Sequence, residues 1–144
     1  MVSTKKAYSA DKFFILGIGG SGMSSIAKYL IEAGSTVVGY DQRKSQITNQ
    51  LLKLNIDVTN DVNYEIPEGS VVISSSAITS NNKLLLQAKN KGMNVITRPD
   101  FLSNLTKQYK TIGIAGTHGK TTTTALLSHI YPVSYTHLTL PTKA

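Results

Sequence analysis

Two glycine-rich segments contain the residues whose types and spacing could do chemistry. The first, Gly17–Gly22, reads GIGGSG and satisfies the pattern G-x-G-x-x-G. Glycines at this spacing let the backbone turn tightly and approach a diphosphate, while the amides of a following helix face the anion. Asp41 lies 19 residues beyond Gly22, where a dinucleotide-binding fold places a carboxylate on a ribose. The segment therefore favours binding of a diphosphate nucleotide, which could be NAD or another. The alternative is a glycine turn that only packs a helix on a strand.

The second segment, Gly116–Thr121, reads GTHGKT and resembles a phosphate-binding P-loop with one departure. The full pattern G-x-x-x-x-G-K-[ST] requires glycine where Ile114 stands. The functional half is present: Gly119 frees the backbone, the Lys120 amine can reach β and γ phosphates, and the Thr121 hydroxyl can hold Mg²⁺. A phosphate-binding role also explains why a run of threonines, poor helix formers, opens the next helix.

The remaining polar candidates are weaker. Ser74–Ala77 follows a predicted strand at its carboxyl end, the edge where open α/β sheets bind ligands, although an ordinary polar loop explains it equally well. His118 lies inside the second segment, where a role in shaping the loop is favoured over acid–base catalysis. No His, Asp and Glu residues recur at metal-ligand spacing.

The composition excludes several classes of protein. The 144 residues are 40% hydrophobic and 16% charged, which excludes a disordered polymer, and without cysteine there is no disulfide framework or thiolate site. The net charge is +7, but the lysines are scattered rather than clustered, so we expect no nucleic-acid partner. No apolar run approaches the ~20 residues of a membrane span, so we expect no membrane partner.

Apolar runs and helical periods alternate along the chain, which predicts the elements that position the two segments. We expect strands over Lys12–Ile18, Thr36–Tyr40, Ile56–Thr59, Val71–Ile73, Val95–Thr97 and Thr111–Ala115. We expect a first helix from Met23 to a stop at Gly34, and a second that is capped by Ser45 and turns Ile47, Leu51 and Leu54 inward. We expect three further helices: over Asn82–Lys91, from a cap at Asp100 through Leu105, and over Lys120–Tyr131. This alternation predicts an α/β fold, a Rossmann-like doubly wound parallel sheet.

The pattern divides the chain into three parts. Residues 1–106 are expected to form a Rossmann-like domain. Residues 107–131 are expected to be the opening strand, P-loop and helix of a truncated ATPase domain. One such unit cannot bury its own apolar face, so we expect residues 111–131 to be poorly anchored. Residues 132–144 abandon the pattern and are interpreted as a non-native tail, a read-through of adapter sequence.

Together the two segments resemble those of the Mur ligase family. The resemblance rests on GIGGSGMSS at 17–25, VVISSSAI at 71–78 and AGTHGKTTTT at 115–124, and it runs from about Lys12 to Ile130. The family's phosphate loop has the same shortened form, so Ile114 agrees with it. Within the family the likeness is greatest to the members that join L-alanine to UDP-N-acetylmuramate. The member that recycles murein tripeptide shares His118 and is the alternative.

The resemblance implies a cytoplasmic enzyme of peptidoglycan synthesis with three domains. The first binds the UDP-sugar and the second binds ATP and Mg²⁺. ATP phosphorylates the muramate carboxylate to an acyl phosphate, which the amine of L-alanine then attacks. Because most of the second domain and all of the third lie outside this sequence, we expect the chain to ligate nothing and at most to bind a UDP-sugar weakly.

The resemblance also assigns roles to residues. It assigns UDP-sugar binding to Gly17, Gly19, Gly20, Ser21, Gly22, Met23, Asp41, Ser75, Ser76 and Ala77. It assigns ATP binding to Gly116, Thr117, His118, Gly119, Lys120, Thr121 and Thr122. Lys120 and Thr121 are the catalytic candidates, with Thr121 as the Mg²⁺ ligand.

Two other classes of protein could use the first segment. An NAD(P)-dependent oxidoreductase would need the same glycine loop, but it leaves the pair Lys120 and Thr121 without a role. A non-catalytic nucleotide-binding module would need no further domain. Binding of UDP-N-acetylmuramate against NAD separates these possibilities.

Overall fold

The computed structural model describes residues 10–130, and the predicted tail at 132–144 lies outside them. Within these residues one parallel sheet has the order β3-β2-β1-β4-β5. Its strands are β1 (Lys12–Leu16), β2 (Thr36–Tyr40), β3 (Asp57–Thr59), β4 (Val71–Ser74) and β5 (Val95–Thr97). The helices are α1 (Ser21–Glu32), α2 (Gln46–Lys53), α3 (Lys83–Asn90), α4 (Arg98–Thr106) and α5 (Lys120–Ile130). The strand order reverses beside β1, which confirms the predicted Rossmann-like doubly wound sheet.

The central strand β1 is buried on both faces of the sheet. Phe13 and Ile15 pack into a core with residues of α1, α2 and α4, whereas Phe14 and Leu16 pack on the other face with residues of α3. A parallel strand covered by helices on both sides needs an unbroken apolar run, which is what the sequence of β1 supplies.

Helix caps fix most of the connections. Ser45 accepts a hydrogen bond from the Thr48 amide in a capping box, and the Asn82 side chain accepts hydrogen bonds from two amides of α3. Gly34 and Gly92 follow α1 and α3 with φ of +83° and +64°, a conformation that favours glycine and stops a helix. The predicted cap at Ser45 and the predicted stops at Gly34 and Gly92 are confirmed, whereas Asn82, predicted as a helical residue, is the cap of α3.

Leu54 does not belong to the inward face of α2. It is the residue that ends the helix, and it is 48% exposed, whereas Leu51 is fully buried and Ile47 is half-buried. The last helical residue is Lys53, one position before Leu54, so the prediction of Leu54 on the inward face is wrong.

The strand β1 ends two residues earlier than its apolar run. Gly17 has a φ of +80°, which turns the chain out of the extended conformation. The amides of Gly17 and Ile18 both donate to the carbonyl of Tyr40, at 2.8 and 3.1 Å. Ile18 is therefore fully buried as part of the glycine loop, and its prediction as a strand residue is wrong.

The helix α4 also begins earlier than predicted. Thr97 is its N-cap, and its hydroxyl accepts a hydrogen bond from the Asp100 amide while the Asp100 carboxylate accepts from the Thr97 hydroxyl. Pro99 fits the first turn because the missing amide has no partner there in any helix. Asp100 thus completes a capping box from inside the helix rather than starting it.

The predicted strand Thr111–Ala115 is not formed. The structure assigns no strand between α4 and α5, and no residue from 106 to 130 is buried. The helix α5 leaves its apolar residues in solvent: Leu126 is 59% and Ile130 is 70% exposed. A strand needs a neighbouring strand for its backbone hydrogen bonds, and none of the described residues supplies one here. The expectation of a poorly anchored segment agrees with this exposure.

Candidate functional site

The first glycine segment forms a tight turn between β1 and α1. The Gly20 amide donates to the Gly17 carbonyl at 3.1 Å, and Gly17 packs against Ser75, whose Cβ would lie 3.0 Å from a Cβ built at Gly17. The Ser75 amide in turn donates to the Leu16 carbonyl. The loops after β1 and β4 are therefore joined at the carboxyl edge of the sheet.

The Asp41 carboxylate holds the turn from the other side. Its Oδ2 accepts a hydrogen bond from the Gly19 amide at 2.8 Å, and its Oδ1 accepts from the Arg43 amide at 3.0 Å. A Cβ at Gly19 would lie 2.7 Å from Oδ2, so glycine is needed for this approach. In the structure Asp41 therefore shapes the loop. Its other predicted role, contact with a nucleoside, stays a prediction.

The first turn of α1 presents unused hydrogen-bond donors. The N-cap Gly20 has no side chain, and the first amide that finds an acceptor is that of Ser24, which donates to the Gly20 carbonyl. Among residues 10–130 nothing accepts a hydrogen bond from the amides of Ser21, Gly22 and Met23. Three such amides at the positive end of a helix dipole form an anion site.

A cleft of about 340 Å³ opens where the strand order reverses. Five of the predicted UDP-sugar residues line it: Gly17, Gly20, Asp41, Ser75 and Ala77. Of the other five, Gly19 is bonded to Asp41, Ser21 and Ser76 are exposed, and Gly22 and Met23 are buried. The lining adds residues absent from the prediction, Tyr40, Gln42, Arg43, Ile78, Thr79 and Asn82. The spacing of the glycines gave no signal for these residues, because they come from the end of β2 and from the loops after β2 and β4.

The second glycine segment is open to solvent. Gly119 has a φ of +76°, and the Lys120 amine donates to the carbonyls of Gly116 and Thr117. Gly116 to Gly119 are exposed, as are Thr121 and Thr122. The lysine thus bonds to its own loop, and the predicted role of these residues in binding ATP stays a prediction.

Metal-binding groups are few. In the stretch 10–130 no three His, Asp or Glu side chains are grouped so that they could hold a metal ion. The predicted Mg²⁺ site therefore depends on the Thr121 hydroxyl and on oxygens from outside this stretch. This donor set fits a metal carried by a nucleotide better than a protein-held metal.

Sequence reasoning missed Arg98. It is the first residue of α4, and its guanidinium lies over Gly22 in the first turn of α1, where a Cβ would stand 2.5 Å from its Cζ. The capping box Thr97–Asp100 predicts a helix that starts at the same sheet edge as α1, but nothing in the sequence predicts that Arg98 lies over Gly22.

Comparison with known proteins decides the family. Residues 12–110 match the Mur ligase family, catalytic domain. The chain belongs to the Mur ligase family. The predicted resemblance to this family is thereby confirmed.

Curated Mur ligases align with most of this chain. The UDP-N-acetylmuramate–L-alanine ligase of Hydrogenobaculum sp. is 44% identical over 121 residues, 83% of this chain and 27% of that protein. The same ligase of Porphyromonas gingivalis is 36% identical over 131 residues, 86% of this chain and 29% of that protein. The chain thus spans between a quarter and a third of the length of these Mur ligases.

Solved Mur ligases share the fold. The UDP-N-acetylmuramate–alanine ligase of Thermotoga maritima has a TM-score of 0.74 at 30% identity over 84% of this chain and 29% of its own. A UDP-N-acetylmuramate:L-alanyl-γ-D-glutamyl-meso-diaminopimelate ligase from Neisseria meningitides has a TM-score of 0.76 at 29% identity, over 86% of this chain and 40% of its own. In the part described here, none of this Mur ligase's helices has the length and apolarity to cross a membrane.

Proposed function

We propose that this chain is the N-terminal part of an ATP-dependent Mur ligase that joins L-alanine to UDP-N-acetylmuramate in the cytoplasm. The names of its curated relatives support this amino acid. The Rossmann-like domain binds the UDP-sugar, and the chain alone does not catalyse the ligation.

The free amides of α1 carry the proposal. They open beside a cleft lined by the loops after β1, β2 and β4. A diphosphate bound there receives hydrogen bonds from the amides of Ser21, Gly22 and Met23. Asp41 and the loop at 75–77 then lie beside the nucleoside and the sugar, as the family resemblance implies.

Lys120 and Thr121 bind the second substrate, ATP. When bound, ATP supplies the phosphoryl group that turns the muramate carboxylate into an acyl phosphate, a better electrophile for the amine of L-alanine. The Lys120 amine would donate to phosphate oxygens in place of its loop carbonyls and neutralise their charge, and the Thr121 hydroxyl would be a ligand of Mg²⁺. Gly116 to Thr122 surround the phosphates with backbone amides.

The proposal is tested by calorimetry with UDP-N-acetylmuramate and by fluorescence with NADH. We expect weak binding of the UDP-sugar and none of NADH. Ser21 is the first residue of α1, where proline is tolerated, and Gly20 has the extended conformation that precedes proline. Ser21→Pro removes one free amide and should weaken UDP-sugar binding several-fold, whereas Ser21→Ala keeps the amide and should bind normally. Tight NADH binding, or equal affinity of the two variants, contradicts the proposal.

A recycling ligase for murein peptide is the second candidate. The likeness to the Neisseria ligase, with its TM-score of 0.76, favours it. Both candidates use the same UDP-sugar, so this domain serves either reaction. Amide formation by the full-length enzyme with L-alanine against the intact tripeptide separates them, and we expect L-alanine to be the substrate.

A further inference from the structure

Arg98 is a charged side chain with no partner. Its Nε atom is buried and lacks a hydrogen-bond acceptor, and no ion pair or hydrogen bond joins its guanidinium to any residue of the described part of the chain. Arginine stays protonated in proteins, so a cation is kept partly buried and unpaired. Burying a charge without a partner is costly, so such a group points to a partner supplied from outside.

The acid nearest to Arg98 in the sequence already has hydrogen-bond donors of its own. Asp100 is two residues away, and its Oδ2 accepts hydrogen bonds from the Thr97 hydroxyl at 2.6 Å and the Thr97 amide at 3.4 Å. That carboxylate completes the cap of α4. It therefore does not neutralise Arg98.

Arg98 lies beside the first turn of α1. The helices α1 and α4 lie on the same face of the sheet, where the rings of Tyr29 and Phe101 meet edge-on with centroids 6.4 Å apart. Both helices begin at the carboxyl edge, since each follows a strand of one parallel sheet. The guanidinium of Arg98 rests on Gly22, in the turn whose amides are free. The guanidinium thus lies beside the positive end of α1, whereas the N-terminus of α4 is capped by the Asp100 carboxylate.

We infer that Arg98 binds the diphosphate of the UDP-sugar together with the first turn of α1. The inference rests on the proposed function, because it takes the ligand of that site as its anion. It also explains Gly22: any side chain at this position would displace the guanidinium from the helix turn. The guanidinium fork suits phosphate oxygens, and the bound anion gives this partly buried cation a partner.

The test is a titration of the ¹⁵N-labelled chain with UDP, inorganic pyrophosphate and uridine, followed by nuclear magnetic resonance. The Nε–H signal of Arg98 should shift with UDP and with pyrophosphate and stay unchanged with uridine. Arg98→Gln should weaken UDP binding about tenfold or more, the usual size of a lost charge-assisted hydrogen bond, and Arg98→Lys should recover part of it. Lys107→Gln removes a positive charge from the opposite end of α4 and should leave UDP affinity unchanged.

The outcomes separate the inference from the proposed function. If the unchanged chain binds UDP and Arg98→Gln binds it equally well, the inference fails and the proposed function stands. A silent Nε–H signal during UDP binding also overturns the inference, and it does so even if Arg98→Gln fails to fold. If the unchanged chain binds neither UDP nor UDP-N-acetylmuramate, both fail.

Discussion

The two glycine loops of this Mur ligase chain differ in what surrounds them, although each precedes a helix and each contains glycines with positive φ. The first is bonded to β2 through Tyr40 and Asp41 and packs on the loop after β4. The second bonds mainly to itself, through Lys120 and the carbonyls of Gly116 and Thr117. A local motif therefore selects the chemistry, while neighbouring strands decide whether the site is held in place.

The largest expected difference between the regions is in the cost of removing an apolar side chain. Ile73 is fully buried in β4, and Ile73→Ala should lower the free energy of unfolding by about 2–5 kcal/mol through lost burial and the cavity left behind. Leu126→Ala removes a side chain that is 59% exposed on α5 and should change the free energy of unfolding by under about 0.5 kcal/mol. Urea denaturation followed by circular dichroism measures both. Similar losses in the two variants would show that α5 is packed after all.

A smaller difference in stability is expected between the two regions when a glycine in each is replaced by alanine. A Cβ at Gly39 in β2 would collide with the side chain of Ile18, so Gly39→Ala should cost about 1–3 kcal/mol. Gly113 has open space around it, and Gly113→Ala should be close to neutral. Thermal unfolding of both variants gives the comparison. A destabilisation by Gly113→Ala equal to that of Gly39→Ala would contradict the exposure of the second region.

The smallest effect concerns an ion pair on the surface of the first region. Lys91 lies 2.7 Å from Glu65, and its hydrogen bond and charge hold the pKa of Glu65 below the ordinary value of 4.5. A carboxyl pKa that is lower in the folded than in the unfolded chain stabilises the fold at pH values above the unfolded pKa. This stabilisation is lost as the pH falls through the folded pKa. Glu65→Gln should therefore lower the denaturation midpoint slightly near neutral pH and not in acid. Because the pair is exposed the shift is small, and a larger loss in acid would contradict the assignment.

The sequence predicted the elements that depend on local signals. The strands Thr36–Tyr40 and Val95–Thr97 have the predicted bounds, and Ser45 caps α2 as its side chain indicated. The strand Thr111–Ala115 failed because an apolar run becomes a strand only beside another strand. Its sequence is no weaker than that of β5, but β5 has β4 as a neighbour.

The part of the site that is formed by the glycines and the Asp41 carboxylate could be predicted from the sequence. Gly17, Gly20 and Asp41 do line the cleft, and their ligand remains a prediction. Arg98 could not be found from spacing, because its relation to Gly22 arises from the packing of α4 beside α1. Its buried, unpartnered Nε is visible only in three dimensions.

Amide hydrogen exchange with and without UDP-N-acetylmuramate tests the central claim most directly, that the first glycine loop is the organised nucleotide site of this chain. In the free chain, we expect the strands of the sheet to be strongly protected and residues 111–130 to exchange nearly as an unfolded peptide does. Adding the UDP-sugar should slow exchange at Ser21, Gly22 and Met23 and leave Gly119 to Thr121 unchanged. Protection gained only in the second loop, or equal protection of both regions in the free chain, would contradict the account.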